Sequence, residues 1–321
     1  MIVAKCPMRI SLAGGGSDLE SYRQVYGSSA VLSFSVNLYT YVTVFRDVFG
    51  QNTAKKLYNV YYSKTESVQN SQQIKNDIAR VCAQHFSSEP FSCWFTSDIP
   101  SHGSGLASSS SYTSGMLLAL SELENASMSS REIIDLTWKL EKKFNDQTGF
   151  QDPYGCALGG LNFLEMKETG PIDCEKIDDS FLDNFNMFLL PTQVSRSSTE
   201  ILKSYNSNNF DIRLLESAYE MRNAFLSKKK EDFVSIFREV WRLKKRMTPE
   251  ILNSHELINL DQEIESLSNV LCHRLIGAGG GGYFFLITKK NVSSQSLSIS
   301  LQRPIRQIFV DNNGLRCTRV Q

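Results

Sequence analysis

The residues whose types and spacing suggest chemistry begin with the stretch "PSHGSGLASSSSYTSG", residues 100–115. It carries three glycines and seven serines between a strand-like run and an apolar run with helical spacing. A glycine-rich turn that enters a helix directs backbone N–H groups and the positive end of the helix dipole at one point, which attracts an anion. Gly103 and Gly105 would let the backbone close around a phosphate. A plain helix-capping turn has the same local pattern, and the loop lacks the Gly-Lys-Ser/Thr ending of a Walker A loop.

The elements that would position this loop are strands before it and helices after it. The stretches "IVAKCPMRISLAG", "AVLSFSVNLYTYVTVF", "LYNVYYS" and "FSCWFTSDIP" are rich in β-branched and aromatic residues and predict strands. After the loop, Tyr112, Met116 and Leu120 recur at helical spacing. A further helix is predicted to start near Ser129, because Ser129 and Glu132 form a capping-box pattern.

The second half of the chain predicts a similar mixture of elements. "NFNMFLLP" and "YFFLIT" indicate strands, and residues 212–247 are mostly helical, with the charged runs "KKKED" and "RLKKR" expected on solvated helix faces. "IFVDNNGLRCTRV" predicts a hairpin, because Asn313-Gly314 suits a tight turn. The chain is therefore predicted to be an α+β protein of two domains, residues 1–175 and residues 176–321.

Length, charge and cysteine usage exclude several classes of protein. The 321 residues carry 34 basic and 34 acidic side chains, with neither a basic stripe for nucleic acid nor an acidic tail. The N-terminus lacks the apolar segment of a signal peptide, and no run reaches the length of a membrane span. The seven scattered cysteines form no CxxC pair, which favours a reducing compartment and argues against a zinc site. We expect a soluble cytoplasmic protein without a nucleic-acid or membrane partner.

Three stretches, in the same order along the chain, resemble the motifs of the GHMP kinase superfamily, which includes galactokinase, homoserine kinase and mevalonate kinase. They are "CPMRISLAGGGSD", "PSHGSGLASSSS" and "LIGAGGGGYFFLI". Together with "FQDPYGCALGGLNF", they look most like heptose 7-phosphate kinases and related sugar kinases. The resemblance implies an N-terminal domain like ribosomal protein S5 and a ferredoxin-like C-terminal domain, with ATP between them. Ala107 and Ser111 depart from the motif, which usually has glycine and a small apolar residue at these places.

The resemblance also implies which residues bind ATP and magnesium. Ser109 and Glu141 would be ligands of Mg²⁺, an ion that prefers oxygen ligands. Read locally, Glu141 is more typical of an exposed helix glutamate beside two lysines, and the family spacing reverses that interpretation. The glycines at 279–282 would pack under the phosphate loop. The ATP phosphates would be bound by Gly103, Ser104, Gly105, Leu106, Ala107, Ser108, Ser109 and Ser110.

The other residues implied by the resemblance concern the acceptor. Asp152 would be the catalytic base, which accepts or orients the proton of the sugar hydroxyl, and Arg9 would stabilise charge on the transferring phosphoryl group. Local patterns leave alternatives open, namely an Asp-Pro turn for Asp152, a strand-edge arginine for Arg9 and a helix cap for Asp18. The expected substrate-binding residues are Asp18, Gly15, Gly16, Gln151 and Arg196.

These expectations combine into an ATP-dependent kinase that phosphorylates the anomeric hydroxyl of a sugar or sugar phosphate. The preferred acceptor is D-glycero-D-manno-heptose 7-phosphate. The alternatives are another sugar, such as L-fucose, or a non-catalytic sensor that binds sugar or nucleotide. Because Arg9, Ser109, Glu141 and Asp152 are all present, the sequence favours an enzyme. The oligomeric state stays open.

Overall fold

The computed structural model describes residues 1–46, 57–100, 103–167, 170–194 and 210–320. Its strands are β1 Ile2–Ala13, β2 Ser28–Phe45, β3 Tyr58–Tyr61, β4 Thr65–Val68, β5 Ser92–Ser97, β6 Leu161–Lys167, β7 Asp173–Ile177, β8 Phe185–Pro191, β9 Val270–Leu275, β10 Tyr283–Lys289, β11 Arg306–Ile308 and β12 Arg316–Arg319. Its α-helices are α1 Glu20–Tyr26, α2 Asp77–Phe86, α3 Ser108–Leu123, α4 Ser130–Glu141, α5 Gln151–Ala157, α6 Arg213–Leu226, α7 Lys230–Met247, α8 His255–Ser266 and α9 Ser294–Leu301.

Strand β2 is the spine of the first sheet, because its 18 residues are long enough to pair with β1, β5 and β6. The strand order is β12-β1-β2-β5-β3-β4, with β6 and β7 attached beside the first half of β2. Only β3 and β5 pair in parallel among the described strands. Burial is continuous along the first half of β2 and alternates along the second, so its first half is covered on both faces.

The second sheet has the antiparallel order β11-β8-β10-β9. Its central strand β10 is buried on both faces. Phe285 and Ile287 share a core cluster with α6, α7 and the first sheet, whereas Phe284 and Leu286 pack with α8 and α9. The first of these clusters includes Met8 of β1, so the two sheets share one continuous apolar core.

Helix α3 carries the residues that follow the glycine loop, and it packs against β1 and β2. Gly115 allows this close approach, because a Cβ there would lie 3.3 Å from a methyl carbon of Val42. The Ser111 hydroxyl donates to the Cys6 carbonyl oxygen at 3.0 Å and shares a hydrogen bond of 2.6 Å with the Thr40 hydroxyl. A hydroxyl at position 111 therefore fixes the first turn of the helix to the sheet.

Most predicted elements are confirmed, and the C-terminal hairpin is wrong. The capping box at Ser129 is present, with Glu132 as its second member, and α4 follows it. The two strands of the predicted hairpin belong to different sheets, since β11 pairs with β8 and β12 pairs with β1. The chain does bend at Asn313-Gly314, with Gly314 at φ +66°, but the segments on either side do not pair with each other: Val310 bridges to Val36 of β2, and β12 pairs with β1.

The proposed division of the chain after residue 175 stays a prediction. The first sheet takes strands from residues 2–177 and 316–319, and the second takes strands from residues 185–308. Among the described residues, no helix has both the length and the apolar character needed to cross a bilayer.

Candidate active site

A cavity of about 940 Å³ lies where the glycine loop meets β1, the start of α5, α7 and the end of β9. Nearly all of the predicted site residues line it, including Arg9, Asp18, Glu141 and Asp152. Leu106 is fully buried beneath the loop instead, and it anchors the loop in the core. Arg196 lies outside the described residues.

The loop turns into α3 through three left-handed backbone conformations. Gly103 and Gly105 have φ values of +67° and +75°, and Ala107 has +60° as the residue that precedes the helix. Glycine adopts such angles without strain, so the alanine departure from the motif has a conformational cost. The carbonyl oxygen of Leu106 accepts a hydrogen bond of 3.1 Å from the backbone N–H of Arg9, which holds the loop against β1. The Ser104 and Ser108 hydroxyls lie 2.8 Å apart at the helix entrance.

Of the glycines at 279–282 that were predicted to pack under this loop, Gly282 does so, together with the preceding Gly277, whereas Gly279 lies against Ile251 and Gly281 against Val194. A Cβ on Gly277 would lie 2.5 Å from Cα of Gly105. A Cβ on Gly282 would lie 2.7 Å from the carbonyl oxygen of Ser104. Two backbones therefore touch directly here, and any side chain would separate them.

Gly105→Ala is expected to lower the free energy of unfolding by about 3 kcal/mol, because the new Cβ adds a clash to a left-handed backbone. That Cβ would lie 2.5 Å from the carbonyl oxygen of Ile276. Gly27→Ala is the matched control, since Gly27 has φ +73° with nothing within 4 Å of its Cβ position. We expect about 1 kcal/mol for the control in urea unfolding. Equal losses in the two variants would contradict the packing argument.

Glu141 ends α4 and points into the cavity wall with only 1% of its surface exposed. Its Oε1 accepts a hydrogen bond of 2.6 Å from the Ser109 hydroxyl, and its Oε2 accepts one from Ser110. Burial raises the pKa of Glu141 to about 7, although the two serine hydroxyls lower it. No lysine or arginine of the described residues forms an ion pair with it. The interpretation as a solvated helix glutamate is therefore wrong, and the oxygens of Glu141 and Ser109 suit a hard cation.

Arg9 connects Asp152 to the glycine loop. Its Nε and Nη2 donate to Oδ1 of Asp152 at 2.9 and 2.7 Å, and its Nη1 donates to the carbonyl oxygen of Gly105 at 2.9 Å. Asp152 lies in the first turn of α5 rather than in a simple turn. Within the described part of the chain, its second oxygen, Oδ2, accepts no hydrogen bond, and 29% of the side chain is exposed to the cavity. That oxygen can receive a hydroxyl from a bound molecule.

Asp18 is buried beside Asp152 and does not cap α1. Its Oδ1 accepts hydrogen bonds from the Gly16 N–H at 3.0 Å and the Gln151 Nε2 at 2.9 Å, and its Oδ2 accepts one from the Gln151 N–H at 3.2 Å. The residue that precedes α1 is Leu19, so the helix-cap interpretation is wrong. Asp18 holds Gln151 and Gly16 in place. Its direct contact with a sugar stays a prediction.

Two buried polar atoms beside Asp18 lack partners among the described residues. They are the Ser11 hydroxyl and Oε1 of Gln151, and both residues line the cavity. A Cβ on Gly15 would lie 2.6 Å from the Ser11 hydroxyl and 3.1 Å from Oε1 of Gln151. Glycine at position 15 therefore leaves room around both atoms. A buried polar atom without a partner is costly, so this end of the cavity is prepared for a ligand with hydroxyl groups.

The ionisation of Asp18 predicts a pH dependence of acceptor binding. Burial, and then repulsion from Asp152, raises the pKa of Asp18 to about 6. Below that pH the carboxylate takes up a proton and loses acceptor capacity toward Gln151. We expect the KM for the acceptor to rise about tenfold from pH 7 to pH 5, because the ionised fraction of a group with a pKa of about 6 falls about tenfold over that range. The Asp18→Asn variant should have a high KM throughout that range. A parallel rise in both proteins would assign the pH effect to another group.

Sequence reasoning missed two cationic residues of the cavity, Lys244 and Arg274. Lys244 lies in "RLKKR", which was expected on a solvated face, but only 8% of it is exposed. The helical spacing of Phe233, Phe237, Val240, Lys244 and Met247 places it on the buried stripe of α7, and this signal was available in the sequence. Arg274 precedes the third glycine motif, and nothing in its local pattern indicates its position.

Sequence analysis also missed a second group of cavity-lining residues, Tyr62, Asn76, Phe95 and Tyr112. Tyr62 directly follows β3, Asn76 precedes α2, and the other two lie in β5 and α3, so no single stretch contains them. Their aromatic rings offer flat apolar surface of the kind on which a planar base can stack.

Residues 72–160 match the family "GHMP kinases N terminal domain". The chain is 27% identical to the D-glycero-alpha-D-manno-heptose 7-phosphate kinase of Campylobacter jejuni over 90% of this chain and 91% of that protein. It is 25% identical to the bifunctional fucokinase/GDP-fucose pyrophosphorylase of Arabidopsis thaliana, over 62% of this chain and 20% of that protein. The fold is similar to the crystal structure of a D-glycero-D-manno-heptose 1-phosphate kinase from Bacteroides thetaiotaomicron, with a TM-score of 0.76, 20% identity and full coverage of both chains.

Proposed function

We propose that the chain is a phosphotransferase of the GHMP kinase superfamily, and that it transfers the γ-phosphate of ATP to the anomeric hydroxyl of a sugar phosphate. Our preferred acceptor is D-glycero-D-manno-heptose 7-phosphate. The observation that carries the proposal is the link made by Arg9, which binds both Asp152 and the carbonyl oxygen of Gly105. This link fixes the position of the Asp152 carboxylate, which would face the acceptor, relative to the glycine loop, which would hold the phosphates.

In this proposal the protein acts mainly by positioning and by electrostatics. The glycine loop and the start of α3 hold the triphosphate, because helix N-termini favour anions. Oδ2 of Asp152 accepts the hydrogen bond of the attacking hydroxyl and orients it. Arg9 keeps that carboxylate in place and adds positive charge beside the transferring group. Ser109 and Glu141 would hold Mg²⁺, which would neutralise negative charge on the phosphates.

Two groups of cavity-lining residues suit the two substrates. The aromatic side chains of Tyr62, Phe95 and Tyr112 would receive the adenine. The Ser11 hydroxyl and Oε1 of Gln151 lack protein partners among the described residues and would bond sugar hydroxyls. Similarity to a heptose 7-phosphate kinase supports the choice of acceptor, and the shorter similarity to a fucokinase keeps L-fucose as the second candidate.

An assay of ADP release tests the proposed function. Purified protein with ATP and Mg²⁺ is offered D-glycero-D-manno-heptose 7-phosphate, D-mannose, L-fucose, D-galactose and mevalonate in turn. We expect turnover on the heptose phosphate and none on mevalonate. Turnover on L-fucose alone would replace the acceptor and keep the reaction. Binding of ATP without turnover on any acceptor would favour the sensor alternative.

A further inference from the structure

Lys244 is a buried cationic side chain that the fold does not use. It lines the cavity with 8% of its surface exposed, and it makes no hydrogen bond or ion pair with any described residue. The neighbouring Lys245 contrasts with it, since its Nζ donates to Asp261 at 2.8 Å and lies over the Trp241 ring. A buried ammonium without a partner opposes folding. A lysine at position 244 is therefore explained by something that binds in the cavity.

Arg274 is fixed beside the same space. It is 2% exposed, and its guanidinium donates to the carbonyl oxygens of Leu12, at 3.2 Å, and of Ser11. The Phe237 ring supports it from the side, with 4.9 Å between the guanidinium carbon and the ring centroid. These contacts immobilise the guanidinium in the cavity wall. A cation held in this way needs no reorganisation when an anion binds.

The surroundings of Lys244 place it on the acceptor side of the cavity. Helix α7, which carries Lys244, packs against β9, which carries Arg274, and Arg274 donates to the carbonyl oxygen of Ser11, whose hydroxyl belongs to the proposed sugar position. The charges of Arg9, Asp18 and Asp152 also act on Lys244. Burial, followed by repulsion from Arg274 and Arg9, lowers the pKa of Lys244 to about 7. A bound anion would reverse the repulsion and favour the charged amine.

We propose that Lys244 and Arg274 form a subsite for the phosphate group that the sugar substrate already carries. The inference rests on the proposed function and narrows it, because a free sugar has no group that needs this pair. The lysine ammonium provides a compact positive charge, and the planar arginine guanidinium provides N–H groups that donate to phosphate oxygens. The γ-phosphate of ATP has the same chemistry, so the test must separate the two sources of phosphate.

The test compares Lys244→Met with the wild type on two acceptors that differ only in phosphate. At saturating ATP, we expect the kcat/KM for D-glycero-D-manno-heptose 7-phosphate to fall about 30-fold, as for loss of a hydrogen bond between charged groups. The kcat/KM for the unphosphorylated heptose and the KM for ATP should change less than about threefold. Equal losses on both acceptors, or a raised KM for ATP, would assign Lys244 to the nucleotide and overturn the subsite.

Two further variants separate loss of the charge from loss of structure. Lys245→Met removes the adjacent lysine, which contacts Asp261 and not the cavity ligand, and it should keep the wild-type preference between the two acceptors. Lys244→Arg keeps the positive charge and should recover most of the activity on the phosphorylated acceptor. If both Lys244 variants lose activity on the phosphorylated acceptor and both have a lowered melting temperature, Lys244 has a structural role instead.

A binding measurement keeps the subsite testable if the proposed acceptor is wrong. Inorganic phosphate is titrated by calorimetry into protein saturated with Mg²⁺ and a non-hydrolysable ATP analogue, so that the glycine loop is occupied. We expect binding by the wild type and at least about tenfold weaker binding by Lys244→Met. Equal binding, or none by the wild type, overturns the subsite. Absence of turnover on every sugar overturns the proposed function alone.

Discussion

Replacing Asp152 with asparagine is expected to lower kcat about 1000-fold, which is the range for loss of a positioned general base. The wild-type carboxylate presents Oδ2 to the cavity, while Oδ1 is held by two hydrogen bonds from Arg9. Asparagine preserves the shape but replaces one oxygen with a donor, so it could not accept hydrogen bonds from both Arg9 and the hydroxyl of the proposed sugar acceptor. Initial rates at saturating ATP and acceptor measure kcat. Fluorescence titration with a nucleotide analogue should give a dissociation constant within about threefold of the wild type.

The control for this substitution is Asp146→Asn. Asp146 is exposed in the connection between α4 and α5, six residues before Asp152, and it does not line the cavity. It should retain wild-type kcat and KM. A near wild-type kcat in Asp152→Asn would remove this residue from the reaction, whereas a large loss in both variants would point to the connection as a whole.

Replacing Glu141 with glutamine is expected to lower kcat about 100-fold at about 1 mM free Mg²⁺, because the proposed Mg²⁺ site would lose its charged ligand. The free Mg²⁺ concentration for half-maximal rate should rise at least about tenfold. Glutamine matches the size of the wild-type side chain and can keep a hydrogen bond to Ser109 or Ser110. The test is to measure rates over a range of free Mg²⁺ concentrations, with the Mg²⁺ that is bound to ATP subtracted from the total.

The stability of Glu141→Gln distinguishes a lost ligand from a damaged fold. Because burial raises the pKa of Glu141 from 4.5 to about 7, the folded protein binds this proton more tightly than the unfolded chain. The neutral form therefore stabilises the fold fully below about pH 4.5, and that contribution is lost as the pH rises through about 7. A permanently neutral glutamine should not lower the melting temperature at pH 8. The control Glu132→Gln alters the exposed capping box of the same helix and should keep the wild-type Mg²⁺ dependence. Wild-type Mg²⁺ dependence in Glu141→Gln would remove Glu141 from metal binding.

Elements whose evidence is local were predictable from the sequence. The capping box at Ser129 depends on hydrogen bonds between residues three positions apart, so both partners are visible in one short stretch of sequence. The glycine loop is similar, since left-handed angles at Gly103 and Gly105 need residues of that type. The same local reading could not place Asp18, because its partner Gln151 lies 133 residues away.

Features that depend on tertiary pairing were not predictable in this way. A bend at Asn313-Gly314 suits a hairpin and a link between two separately paired segments equally well, and only the tertiary pairing, Val310 with β2 and β12 with β1, decides between them. Glu141 resembles an exposed helix residue until Ser109 and Ser110 from α3 are placed against it. Lys244 is the instructive exception, because its place in the apolar stripe of α7 was visible but its charge suggested the opposite face.

The pairing of β12 with β1 makes the first sheet discontinuous along the chain, with the whole second sheet inserted between β7 and β12. A contiguous fragment ending after β7 would lack β12. Residues Ile2–Lys5 of β1 would then pair with β2 alone, and their other edge would be open. Residues next to these two strands lie together, since Met1 and Val320 hydrogen-bond to each other through their backbones at 2.8 and 3.1 Å. A circular permutant that joins Val320 to Met1 through a short linker would place β12 directly before β1, and the first sheet would then be encoded by one uninterrupted segment.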